Sequence, residues 1–173
     1  LPPNESAVIA LILGATDSRA QALALAAKYQ HSRMGDRAFE LAWTHSQVTL
    51  RQLNATEAEA QLYSRLASAL LYADPSRRAS AAVLGANRRG QSGLWSYGIS
   101  GDAPLVLLHI SDSAKITLVR QLIQAHSYWR MKGLVAELVI VNEDVSVYRQ
   151  SLQDEITNLI SSGIEAQMLD KPG

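Results

Sequence analysis

The chain has 173 residues, 47% of them apolar and 18% charged, which is enough to bury a core and too apolar for a disordered tail. Sixteen basic residues balance sixteen acidic ones. A protein that binds nucleic acid through counterion release carries a basic surplus, so the balance argues against nucleic acid as a partner. The lack of cysteine removes disulfide staples, thiolate catalysis and cysteine–zinc sites together.

Charge is unevenly spread. Residues 1–133 carry 14 basic and 9 acidic groups, and residues 134–173 carry 2 and 7, a split suited to two faces meeting inside one fold. The longest uncharged apolar stretch, Ser6 to Thr16, is too short to span a bilayer, so no direct membrane insertion is expected. No basic residue precedes it, as a signal peptide would require. The chain opens Leu1-Pro2-Pro3-Asn4-Glu5 without an initiator methionine, and the expectation is a piece of a longer polypeptide.

In chain order, Ala7 to Leu13 reads as an apolar strand ended by Gly14. Thr16-Asp17-Ser18 offers capping oxygens to an alanine-rich helix reaching about Tyr29. Phe39, Ala42, Trp43, Ser46, Leu50 and Leu53 mark one face of a second helix, broken at Asn54-Ala55. Thr56 and Glu59 have capping-box spacing for a third, with Leu62, Leu66, Ala69 and Leu70 inward and Asp74-Pro75 as its stop. A link this short predicts an antiparallel helical hairpin. A short helix is expected over Ser80–Ala86.

From Pro104 the pattern changes. Leu105 to Ile110 is a continuous apolar run, the mark of a strand covered on both faces. Asp112 or Ser113 caps a helix with Ile116, Val119, Leu122, Ile123, His126 and Trp129 inward, closed by Gly133. Leu134 to Val141 predicts a second strand. A helix follows, with Tyr148, Leu152, Ile156 and Leu159 inward, and then a third strand over Ile164–Leu169. Alternation with short links implies right-handed crossovers. The expected class is α/β: a small three-stranded parallel sheet with crossover helices, preceded by a helical hairpin arm and one isolated amino-terminal strand. The divisions fall at 1–30, 31–87 and 88–173.

Ligands of open parallel sheets gather at the carboxyl ends of the strands. That edge would carry Asp112, Glu143, Asp144 and Asp170, either as ligands for a hard cation or sugar hydroxyls or as helix caps and solvated groups. No Walker lysine loop, G-x-G-x-x-G, H-E-x-x-H or G-x-S-x-G pattern occurs. No metal or cofactor is therefore assigned. Gly14 to Ser18 joins a strand to a helix, but Asp17 would repel an anion there. His109, in a strand, and His126, on an apolar helical face, read as interior imidazoles.

Residues 88–104 stand apart, with four glycines, two large aromatics, two arginines and an aspartate in seventeen positions. Trp95 and Tyr97 offer flat faces to sugar rings, and Arg88, Arg89, Gln91 and Asp102 offer pairing groups for hydroxyls or phosphate. The other reading is a connector whose Trp95 fills a gap between modules.

Several blocks resemble bacterial cyclic β-1,2-glucan synthases: Arg37 to Gln47, Leu53 to Ala58, Gln91 to Asp102, His126 to Leu134 and Leu138 to Asp144. The resemblance implies a large inner-membrane parent that transfers glucose from UDP-glucose, cyclises the glucan and controls its length with a region like family-94 glycoside phosphorylases. It implies that this chain lies between β-sandwich modules of that region, on the cytoplasmic face of the membrane. Its opening strand would then complete the preceding sandwich. No catalytic residue and no cofactor carries over.

The expected role is a non-catalytic interdomain segment whose partners are the flanking sandwich and barrel modules. The alternatives are a β-1,2-glucan-binding module and a free-standing small α/β enzyme using the edge at Asp112, Glu143 and Asp144. An exposed amino-terminal strand would also allow a homodimer.

Overall fold

A computed structural model of the chain describes residues 2–7, 9, 11–30, 32–72, 74–144, 151–163 and 166. Tyr148, Asp170 and, apart from Ala166, the expected third strand fall outside these. The chain divides into two compact units, Leu1–Val48 and Thr49–Gly173.

In the first unit, α1 (Arg19–Lys28) starts where Ser18 Oγ accepts the Gln21 amide at 3.3 Å. The long helix α2 (Ser32–Leu53) begins here and runs into the second unit. The amino-terminal strand expected over 7–13 is not seen: its described residues carry no strand ladder, and Ile9, Leu11 and Leu13 are exposed. A strand exists only through a paired neighbour, and none is described. The face expected to bury Phe39 and Trp43 leaves them 78% and 65% exposed; only its last turn, with Leu50 and Leu53, is buried.

The second unit holds the core. Asn54 takes a left-handed conformation (φ 50°), and the Ala55 amide returns to Leu50 O, which ends α2. Helix α3 (Glu57–Leu71) opens with the expected capping box: Thr56 Oγ1 accepts the Glu59 amide at 3.2 Å and Glu59 Oε2 accepts the Thr56 amide at 2.7 Å. The Thr56 amide foremost, and then the Thr56 hydroxyl donating to Oε2 at 2.8 Å, hold the Glu59 carboxyl below the usual carboxylate range. Asp74 then caps a 3₁₀ turn, Pro75–Arg77, and Ser80 caps the expected short helix α4 (Ala81–Ala86).

Strand β1 (Leu105–Ile110) pairs in parallel with β2 (Glu137–Asn142), with Leu107 opposite Val139 and His109 opposite Val141. Between them runs α5 (Ile116–Met131), closed by Gly133 at φ 83°. Helix α6 (Ser151–Ser161) follows. One core joins Ile110, Leu108, Leu138 and Ile140 of the sheet to Val119 and Ile123 of α5 and Leu152 and Ile156 of α6. A second joins Val106 and Ala136 to Trp129, Ala125 and Tyr63. Tyr63, absent from the expected inward set of α3, is fully buried. Its carbonyl accepts Trp129 Nε1 at 2.7 Å, and Gln124 Nε2 reaches Leu53 O at 3.1 Å, so α3 and the end of α2 lock onto α5 through backbone acceptors. The α3 half of the expected hairpin therefore buries its face on α5.

The expectation of a sheet covered on both sides needs correcting. Both cores take the residues of one face. The other carries Leu105, Leu107 and His109 of β1, all exposed (Leu107 52%), with Glu137, Val139 and Val141 of β2, of which Glu137 is buried and the two valines are half-buried. Among the described residues no helix is long and apolar enough to cross a membrane.

Candidate functional site

The unusual loop folds into two successive 3₁₀ turns, Gln91–Gly93 and Trp95–Tyr97, ended by Gly98 at φ 73°. Gly101 has the same φ, and a Cβ there would meet Gln91 Cγ at 2.9 Å and Leu94 Cδ1 at 3.1 Å, so both dihedral and space demand glycine. Ser100 is the hub between them. Its carbonyl accepts Gln91 Nε2 at 2.9 Å and Trp95 Nε1 at 3.3 Å. Its hydroxyl accepts the Asp102 amide at 3.1 Å and donates to Glu137 Oε1 at the start of β2. Gln91 Nε2 also reaches Asp102 Oδ1 at 2.7 Å, and the Glu137 amide donates to Pro104 O at 2.8 Å.

The loop is thus pinned to the amino end of the sheet, with Trp95 64% and Tyr97 73% exposed. Of the residues expected to act here, Gln91, Trp95 and Asp102 meet at Ser100. Tyr97 shares the second 3₁₀ turn. The stem of Arg89 lies along Gly93, where an added Cβ would sit 3.3 Å from Arg89 Cβ. Neither Arg88 nor Arg89 forms an ion pair among the described residues.

Sequence reasoning missed Ser100 and Glu137. The available signal was a glutamate at the head of an otherwise apolar strand. Glu137 is only 6% exposed, and its Oε2 is buried with no hydrogen-bond partner.

The opposite edge of the sheet carries Asp112, Glu143 and Asp144 among the described residues. Asp112 Oδ1 accepts the Ala114 amide at 2.9 Å and caps the 3₁₀ turn Ser113–Lys115. The Asp144 amide donates to Asn142 Oδ1. Glu143 Oε1 lies 2.6 Å from His109 Nδ1, each side chain about half exposed. His109 is therefore no interior imidazole, because its position on β1 points to the uncovered face. An imidazole oriented by a carboxylate can take up or deliver a proton. His126 is interior as expected, with Nε2 2.8 Å from Ala136 O. Among the described residues no group of three or more histidine, aspartate or glutamate side chains is placed to hold a metal ion. An open surface groove of about 730 Å³ lies between the first turns of α5 and the last turns of α6, lined by Arg120, Glu155, Asn158 and Leu159 among others.

The chain is 36% identical over 132 residues to the cyclic beta-(1,2)-glucan synthase NdvB of Rhizobium meliloti (strain 1021). The aligned stretch covers 76% of this chain and 5% of that protein, so the chain spans a small part of the relative's length. The resemblance read from the sequence is borne out, including its fit to an internal segment of a larger protein. No family model matches the chain. No solved structure matches it.

Proposed function

We propose that this chain is a non-catalytic interdomain segment of a cyclic β-1,2-glucan synthase, positioning modules of a phosphorylase-like region on the cytoplasmic face of a bacterial inner membrane. The supporting observation is the uncovered sheet face. Parallel sheets are normally buried on both sides, yet helices cover one side of this sheet and Leu105 and Leu107 face outward on the other. A neighbouring module of the same polypeptide is the natural cover. The test is amide hydrogen exchange in β1 and β2, in this chain alone and within the longer parent. Slower exchange and buried Leu105 and Leu107 in the parent are expected; identical protection in both would defeat the reading.

A second reading, a β-1,2-glucan-binding module, is favoured by the loop. Two exposed aromatic rings stand beside the fixed amide of Gln91 and carboxylate of Asp102, a combination that stacks on sugar rings and bonds their hydroxyls. Titration with linear β-1,2-glucooligosaccharides should perturb Trp95 fluorescence, read against a Trp95→Phe variant that keeps Trp43 and Trp129. A flat titration would remove this reading.

A further inference from the structure

We propose that Glu137 is the buried anchor of a saccharide site under the 91–102 loop, and that the Ser100 hydroxyl occupies it in place of a ligand hydroxyl. The inference rests on the glucan-binding reading of the loop and adds the residue that would fix the ligand.

A carboxylate has two acceptor oxygens. Ser100 supplies one hydroxyl to Oε1, and Oε2 is left buried and unpaired. A buried polar atom without a partner carries the full cost of losing water. The closed arrangement thus holds an unmet demand for one more donor at a defined point, beside the Trp95 indole that shares Ser100 as its partner.

Charge decides which donor fits. Arg88 and Arg89 flank the loop without ion pairs among the described residues, which disfavours a cationic ligand. Asp102 and Glu137 disfavour an anion. A neutral polyhydroxyl group meets neither objection. Two adjacent sugar hydroxyls satisfy both carboxylate oxygens, where the single serine hydroxyl satisfies one, while the ring rests on the exposed face of Trp95.

Entry requires Ser100 to release Oε1 and the cover over Oε2, which is closed to solvent, to open. The peptide carrying Ser100 sits between Gly98 and Gly101, both at φ 73°, and glycine crosses between backbone basins without the barrier that a Cβ imposes. Ser100 is thus both hub and plug.

The experiment uses the 173-residue chain, Ser100→Ala, Glu137→Gln and the double variant, each checked for fold by circular dichroism and thermal midpoint. Each is titrated with linear β-1,2-glucooligosaccharides, followed by Trp95 fluorescence and by the amide signals of residues 100 and 137. Removing the plug should tighten binding about tenfold, the worth of one hydrogen bond to a charged group. Glu137→Gln should weaken binding by a similar factor, and the double variant should lose the gain. Equal affinity in all four proteins would overturn the Glu137 inference while leaving the loop a sugar-binding surface; Glu137 would then hold an ordered water only. No binding by any of them would overturn both.

Discussion

The two faces of the β1–β2 sheet are built from the same strands and nearly the same residue types, yet along β1 they meet opposite fates, while β2 is buried or half-buried on both. On one, Leu108, Ile110, Leu138 and Ile140 close against Val119, Leu152 and Ile156. On the other, Leu105 and Leu107 stay open, with the Ser100–Glu137 contact at one end and the His109–Glu143 pair at the other. Strand alternation assigns residues to faces, but it does not decide which faces are covered.

Mutations can break or sharpen this contrast. Trp129→Ala should have the largest effect, about 3–5 kcal/mol of stability by urea unfolding, because it empties a buried site and strips Tyr63 O of its donor. Leu152→Ala, in the α6 side chain packed on the covered face, should cost about 2–5 kcal/mol. Thr56→Ala should cost about 1 kcal/mol through loss of the α3 cap.

That cap also carries a pH signature. Because the folded-state pKa of Glu59 is lowered, chiefly by the Thr56 amide, its stabilisation is complete above the ordinary carboxylate pKa. It is lost as pH falls through the lowered value. Acid titration of unfolding should therefore show a shallower acid limb in Glu59→Gln, which removes the titrating carboxyl, than in the wild type. The smallest effect is expected from Leu107→Ala, within about 0.5 kcal/mol of neutral in the chain alone. A loss as large as that of Leu152→Ala would mean that the open face is covered after all.

Much of the fold was legible because it is local. Ser18, the Thr56–Glu59 box, Ser80, Asp112 and Gly133 mark element ends through bonds only a few residues long. Apolar periodicity also identified both strands and the buried side of α5, and the parallel pairing followed from a helix lying between them. Phe39 and Trp43 misled, because a helical stripe shows that a face is apolar without showing what covers it. Tyr63 was missed for the converse reason: its burial depends on Trp129, sixty-six residues away.

The candidate site was half visible. Its glycines and aromatics drew attention to residues 88–104, but the groups that tie it together, Ser100 and Glu137, are thirty-seven positions apart. Linear order dictates caps, turns and alternation, since those energies depend on neighbours along the chain. The Ser100–Glu137 contact, the His109–Glu143 pair and the outward-facing side of β1 arise only when distant segments meet, because burial and hydrogen-bond partnership are properties of the space around an atom.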